Sequence, residues 1–102
     1  MVDALSCRAM DFAWDPEKAA SNLDKHGLSF EEASTAFADP LSRTMRDPLH
    51  SDDEDRFVLT GVTRADRLAV VVHTDRDGTV HLITARIATP AERRRYEQTH
   101  EE

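Results

Sequence analysis

The stretch from residue 10 to residue 37 constrains the fold of this chain most, because it carries the start and stop signals of two helices. Asp15 can accept hydrogen bonds from the first free backbone amides of a helix, and Pro16 suits the first helical position. Gly27 suits the left-handed residue that commonly ends a helix. These signals predict a helix over Pro16–His26.

A second helix is predicted directly after the first. Ser29 and Glu32 have the spacing of a capping box, in which each side chain accepts a hydrogen bond from the other residue's backbone amide. The helix would begin at Phe30 and place Phe30, Ala33 and Phe37 on one face. The Asp-Pro pair that follows forbids continuation, so two short helices would meet at the intervening glycine.

The other elements are predicted to be strands and one last helix. A short strand at residues 11–14 precedes the first helix, and four more are predicted at residues 41–46, 56–62, 68–73 and 79–87. Asp77-Gly78 predicts a tight hairpin between the last two strands. Thr89, Pro90 and Glu92 start a final helix that reaches about residue 100. The order β-α-α-β-β-β-β-α describes an α+β domain with a mostly antiparallel sheet packed against helices.

Periodicity also predicts which side chains are buried. On the first helix, a stripe of Ala19, Ala20 and Leu23 is expected to face the core, with Asn22 turned elsewhere. On the last strand, strict alternation gives two faces. The first holds Val80, Leu82, Thr84 and Arg86, and the second holds His81, Ile83, Ala85 and Ile87. Trp14 is expected in the core.

Length and composition favour one small domain in the cytoplasm. A chain of 102 residues supports a single core, which we place at residues 10–102 behind a flexible extension at residues 1–9. Cys7 has no second cysteine to pair with, so we expect a free, reduced thiol. The sequence shows no apolar run long enough for a membrane span and no signal-peptide pattern, so no membrane partner is expected.

The net charge of −7 lacks the strong positive field typical of nucleic-acid-binding proteins. Residues 1–56 hold 13 acidic and 6 basic side chains, whereas residues 57–102 hold 7 of each. A surface that contacts phosphate is therefore expected mainly in the second half. The acidic first half suits a basic partner.

The first helical region also carries the pattern F-x-W-D-P-x-K-x-x-x-N-x-x-K-H-G-x-S-F-E-E-A, which resembles the BrnT family of bacterial toxin–antitoxin toxins. The resemblance covers about residues 10–96 and continues into T-A-R-I-A-T-P-A-E-R-R-R-Y at residues 84–96. It implies a RelE-like fold and ribonuclease activity. The matched positions are Phe12, Trp14, Asp15, Pro16, Lys18, Asn22, Lys25, His26, Gly27, Ser29, Phe30, Glu31, Glu32 and Ala33.

Cleavage of RNA without a metal requires activation of a 2′-hydroxyl, charge relief on the phosphate and a proton for the leaving 5′-oxygen. Arginine suits the charge relief because its planar fork matches phosphate oxygens and stays charged. Arg86 and Arg56 are the candidates, since each flanks a predicted strand. By the resemblance, an arginine near the end of the last strand is a site residue. Thr84 stands where the family has serine.

Four further residues are candidates for acid, base or substrate-positioning roles, and each has a structural alternative. His73 ends a strand that should be buried, so the sequence favours a core histidine over an acid–base role. Tyr96 could orient substrate or pack the last helix on the sheet. Lys25 and His26 could border a phosphate site or complement the dipole at a helix end. Glu92 is a fifth candidate, for which the sequence favours the role of a helix cap.

The acidic loop at residues 47–55 invites a metal-site interpretation, but the sequence favours a solvated loop there. His50, Asp52, Asp53 and Asp55 lack the glycine of a calcium loop and the paired histidines of a helical zinc site. No metal or cofactor is expected.

Two functions from different classes fit the sequence. The resemblance implies a type II toxin that cleaves RNA, inhibits translation and is neutralised by a BrnA-like ribbon–helix–helix antitoxin, through which any DNA contact would be made. The alternative is a catalytically degenerate binding module that keeps the antitoxin-facing surface. The net charge of −7 fits this alternative.

Overall fold

The computed structural model describes residues 10–47 and 55–99. Within them the chain forms three α-helices and five strands, which confirms the α+β class. The bounds are β1 Asp11–Ala13, α1 Pro16–His26, α2 Phe30–Ser34 with a 3-10 turn at Thr35–Ala38, β2 Arg43–Arg46, β3 Arg56–Val62, β4 Leu68–Arg76, β5 Thr79–Ile87 and α3 Pro90–Thr99. The proposed extension at residues 1–9, with Cys7, lies outside the described residues, as do His50, Asp52 and Asp53.

The five strands form one mixed sheet in the order β1-β5-β4-β3-β2. β1 runs parallel to β5, and the other three pairings are antiparallel. Asp77 and Gly78 both have positive φ, 52° and 83°, which is the backbone geometry that a type I′ hairpin requires. The predicted hairpin between β4 and β5 is therefore confirmed, and β4 lies at the centre of the sheet.

Helix capping follows the sequence signals at three of four expected points. Asp15 accepts a hydrogen bond from the Glu17 amide at 2.9 Å, and Gly27 closes α1 with φ +68°. At α3 the capping box is reciprocal, with Thr89 N donating to Glu92 Oε1 at 2.9 Å and Glu92 N donating to Thr89 Oγ1 at 3.1 Å.

The box at α2 is half formed, which corrects the expectation of a reciprocal pair. Ser29 Oγ accepts from the Glu32 amide at 3.0 Å, but the Glu32 carboxylate binds Arg67 and Thr63 instead of the Ser29 amide. A guanidinium is a stronger donor to a carboxylate than a neutral amide is, so the tertiary contact wins.

The hydrophobic core lies between one face of the sheet and helices α1 and α2. Trp14 packs against it with its ring 5.8 Å from that of Phe30, which confirms the expected core position. The core residues are Leu28, Phe30, Ala33, Ala69, Val71, Val80, Leu82 and Ala85. We call this side of the sheet the covered face and the opposite side the open face.

A β-bulge in β5 corrects the predicted alternation of that strand. Val72 pairs with Thr84 and His73 pairs with Leu82, so Ile83 is left over between two consecutive residues of β4. Beyond an extra residue of this kind, each side chain lies on the opposite face of the sheet from the one that strict alternation predicts. Leu82 therefore joins Ala85 in the core, whereas Thr84 and Arg86 belong to the open face.

The expected buried stripe on α1 is confirmed only for Ala19, which packs against the core. Ala20 is exposed. Leu23 is 51% exposed, while Asn22 is 5% exposed. The Asn22 side chain accepts from Ala85 N at 3.0 Å and donates to Ala85 O at 2.8 Å. It also donates to Leu28 O at 3.0 Å and accepts from Thr84 Oγ1 at 3.1 Å. Because β1 pairs with β5 only as far as residue 81, the asparagine amide takes the place of a neighbouring strand along this part of β5.

Candidate active site

The open face carries a groove of about 140 Å³ between the sheet and α3, which we call the arginine groove. Strands β2, β3, β4 and β5 form its floor and α3 forms its wall. The lining residues are Arg43, Met45, Val58, Thr60, Val70, Arg86, Glu92, Arg95 and Tyr96. Three arginines against one glutamate give this lining a positive balance within a chain of net charge −7.

Arg86 is fixed in the groove by a two-pronged ion pair with Glu92. Nη1 lies 2.8 Å from Oε1 and Nη2 lies 2.8 Å from Oε2. The hydrogen bonds from Arg86 lower the pKa of Glu92 to about 2, and the same contact raises the pKa of Arg86. Arg86 Nη1 also donates to Ile87 O at 3.4 Å. A guanidinium has five N–H groups, so Arg86 keeps donors for an incoming anion.

Tyr96 connects α3 to the rim of the sheet. Its hydroxyl donates to Asp39 Oδ2 at 2.6 Å, and the same oxygen accepts from Val62 N at 2.9 Å. Burial and the neighbouring Asp39 carboxylate raise the pKa of Tyr96 to about 12. Tyr96 is therefore a protonated hydrogen-bond donor at neutral pH.

Arg56 does not join Arg86. Arg56 pairs with Thr74 on one side of β4, and Arg86 pairs with Val70 on the other. Val70 and Thr74 are four residues apart along β4, which corresponds to about 13 Å. Each arginine lies on a strand next to β4, but the two lie at different ends of the sheet.

His73 lies in the covered face and not in the groove. It is 6% exposed, and its ring lies 4.8 Å from that of Phe37 and 5.9 Å from that of Phe57. Burial lowers the pKa of His73. Among the described residues, none makes a hydrogen bond with its Nδ1 atom. This is the environment of a core histidine.

Lys25 and His26 end α1, where they line a separate groove between that helix and β5. The structure thus brings Arg86 and Tyr96 together and leaves Arg56, His73, Lys25 and His26 elsewhere.

Sequence reasoning missed Arg43 and Arg95. Side chains alternate along a strand, so Arg43 and Met45 lie on the same face of β2. This pair could have suggested a groove on that face of the sheet. Arg95 follows Glu92 at helical spacing, which places both on one side of α3. Arg93 does not line the groove and lies 3.9 Å from Glu97, so the three successive arginines of α3 do not all face the groove.

The described residues include no group of three His, Cys, Asp or Glu side chains placed to hold a metal ion. Asp55, from the acidic loop, lies 2.5 Å from Arg46 in an exposed ion pair. In the ranges that the structure describes, no helix combines the length and the apolar character of a membrane span.

Comparison with protein families decides the identity. A family model of the ribonuclease toxin BrnT, of type II toxin–antitoxin systems, matches residues 14–92. The chain belongs to the BrnT family. Arg86 and Glu92 lie inside the matched segment, and Tyr96 lies just beyond it. The ribonuclease class of the family implies an RNA target, and the type II system implies an antitoxin partner.

The fold is similar to that of a solved relative. The crystal structure of the Brucella abortus ribonuclease toxin BrnT matches with a TM-score of 0.59 and 22% sequence identity, over 78% of this chain and 97% of that chain. At this identity the likeness is one of fold. No curated protein sequence matches the chain significantly.

Proposed function

We propose that this BrnT-family chain is a metal-independent endoribonuclease with a RelE-like fold, and that the arginine groove is its active site. Its cleavage of RNA would inhibit translation in the cytoplasm. The observation that carries the proposal is Arg86, which is held at both terminal nitrogens by Glu92 at 2.8 Å and faces an open groove of positive balance. A preorganised guanidinium stabilises a developing phosphate charge without further rearrangement.

The reaction would be an internal transesterification of RNA. The 2′-oxygen attacks the adjacent phosphorus, and the bond from phosphorus to the 5′-oxygen breaks. The products are a 2′,3′-cyclic phosphate and a free 5′-hydroxyl. The proton of the 2′-hydroxyl would pass to a water molecule, and Tyr96 would give a second proton to the 5′-oxygen. Charge builds meanwhile on the phosphate oxygens that Arg86 would contact.

Tyr96 would supply the proton for the leaving oxygen, and because a phenol has a single O–H, that proton would first leave its hydrogen bond to Asp39. Its pKa of about 12 keeps the phenol protonated, and Asp39 fixes its position through the 2.6 Å hydrogen bond. We assign Arg56 to substrate contact at the far end of the open face, and His73 to packing.

The partner that best fits this chain is a basic BrnA-like ribbon–helix–helix antitoxin. Residues 1–56 carry a balance of −7, from 13 acidic and 6 basic side chains, which complements a basic protein. DNA contact would then be made by the antitoxin within the complex.

The alternative of a binding module without catalysis is favoured by one feature of the groove. Its lining contains no histidine, and its one carboxylate, Glu92, is already engaged by Arg86 and by the Thr89 amide. A carboxylate with a pKa of about 2 is a weak base. The groove therefore provides a group that stabilises negative charge, but no comparable group that abstracts a proton.

The test is cleavage of a generic RNA by the purified chain in the presence of EDTA, with analysis of the product ends. We expect 2′,3′-cyclic phosphates from the wild type and at least a 100-fold lower rate from Arg86→Ala, as for removal of a single oxyanion donor. Arg64→Ala is the control, since this arginine lies exposed in the β3–β4 turn. Activity that vanishes with EDTA, or that survives Arg86→Ala, contradicts the mechanism.

A further inference from the structure

A second groove lies on the other side of β5, between that strand and α1, and we call it the lysine groove. Its volume is about 250 Å³. The residues that line it are Lys18, Ser21, Asn22, Lys25, His26, Ile83 and Thr84. This lining contains no carboxylate, and it contains both lysines of the chain. A chain of net charge −7 therefore concentrates its lysines at one place.

Asn22 fixes the orientation of this groove. Its four hydrogen bonds to Ala85, Leu28 and Thr84 set the rotation of α1 about its axis. Lys18 precedes Asn22 by four residues and Lys25 follows it by three, so both lie on the same side of the helix as the buried asparagine. Seven residues of helix separate the lysines by about 10 Å along the axis.

Neither lysine has an ion-pair partner among the residues that the structure describes. In the parts of the chain that the structure describes, no carboxylate forms an ion pair with Lys18 or Lys25. Both side chains are exposed. Lys25 also gains from the helix dipole, but Lys18 lies near the start of α1, where the dipole disfavours a cation. Helix stability therefore does not account for Lys18.

The lysine groove is close to the arginine groove. Thr84 lines the lysine groove and hydrogen-bonds to Asn22 at 3.1 Å. Arg86 follows two residues later on the same strand, about 7 Å along β5. The two grooves thus flank one short segment of β5, and a single extended polyanion could reach both.

We propose that the lysine groove binds the backbone phosphates of the same RNA strand whose scissile phosphate contacts Arg86. This inference rests on the proposed function. A span of about 10 Å corresponds to about three phosphates of a stacked strand. Lysine is a point charge with rotatable donors, which suits phosphate contact without sequence selection. The groove would therefore extend the substrate site by two or three nucleotides and leave the sequence preference unchanged.

The first test is the salt dependence of binding to a mixed-sequence 2′-O-methyl RNA of twelve nucleotides, which lacks the attacking hydroxyl. Each lost phosphate contact lowers the slope of log K against log salt by about 0.7 for single strands. We expect the double variant Lys18→Ala, Lys25→Ala to lower the slope by about 1.4. The charge-matched control is Arg64→Ala, Arg94→Ala, at two exposed positions outside both grooves. Equal slopes for the double variant and this control would overturn the proposal.

Amine acylation followed by mass spectrometry gives a second readout, because Lys18 and Lys25 are the chain's two lysines. We expect the same RNA to slow modification of both several-fold. Unchanged labelling, or protection by the antitoxin and not by RNA, would overturn the proposal. Arg86→Ala should keep the protection. Both readouts measure binding, so an absence of cleavage would count against the proposed function and not against the lysine groove.

Discussion

The two sides of the sheet each carry an arginine–glutamate pair with two short contacts, and these two pairs have nearly the same geometry. On the covered face, Arg67 binds Glu32 with contacts of 2.6 and 2.9 Å. On the open face, Arg86 binds Glu92 with two contacts of 2.8 Å. The exposed fractions of the arginine side chains are 41% and 40%. Chemistry and exposure therefore do not distinguish a structural pair from a site pair.

The surroundings of the two pairs make the difference. Arg67 also donates to Gly27 O at 3.3 Å, and Glu32 also accepts from Thr63, so this pair joins α2 to the β3–β4 turn. Arg86 instead faces a groove that contains two further arginines. An ion pair becomes a candidate site through the space and the charges next to it.

The largest expected contrast in stability is between the core and the open face. Phe30→Ala should lower the free energy of unfolding by about 3–5 kcal/mol, because Phe30 is fully buried. Met45→Ala, at a position that is 62% exposed, should change it by less than about 0.5 kcal/mol. Urea denaturation measures both. Similar losses in the two variants would mean that the open face is covered in solution.

Asn22→Ala tests the covered face further, because it removes the buried side chain that hydrogen-bonds α1 to β5. We expect a loss of about 3 kcal/mol, since the amide and carbonyl of Ala85 lose their partner in a buried position. Ser21→Ala, the exposed neighbour on the same helix, is the control, with an expected change below about 0.5 kcal/mol. A loss no larger than that of the control would mean that water replaces the asparagine amide.

Tyr96→Phe tests whether the open-face elements act in catalysis beyond their part in folding. Loss of the hydrogen bond to Asp39 should cost about 1 kcal/mol of unfolding free energy. RNA cleavage should fall about tenfold or more under conditions where the variant is fully folded. Thermal denaturation and single-turnover kinetics separate the two effects. A stability loss with unchanged cleavage would make Tyr96 a packing residue.

The smallest expected effect is the pH dependence that His73 gives to the covered face. Its pKa is lowered from 6.5 in the folded protein, so the unfolded chain binds more protons in the window just below that value. Stability should therefore fall as the pH drops below about 6.5. His73→Leu should flatten this part of the stability curve relative to wild type. An unchanged slope would place the responsible titration at another group.

The sequence was sufficient where local chemistry decides the structure. The bounds of α1 follow from Asp15, Pro16 and Gly27, and the β4–β5 hairpin follows from Asp77-Gly78. These signals act between residues that are near in sequence, so tertiary contacts had little scope to override them.

The sequence was insufficient where a distant partner decides. Asn22 is buried because of Ala85, 63 residues away, and Glu32 leaves its capping role because of Arg67. The unpaired Ile83 has no signal in the alternation of β5, although it decides that Leu82 enters the core while Arg86 stays on the open face. The arginine groove could be predicted in part, through Arg86 and Tyr96. Arg43 became visible once the order of the strands was known.

The most direct test of the central claim compares the two arginines in one experiment. Single-turnover cleavage of one RNA in EDTA is measured for Arg86→Ala and Arg67→Ala, each at a temperature where it is fully folded. We predict at least a 100-fold loss for Arg86→Ala and less than a twofold change for Arg67→Ala. Equal losses in the two variants, or none in either, would contradict the assignment of the arginine groove as the active site.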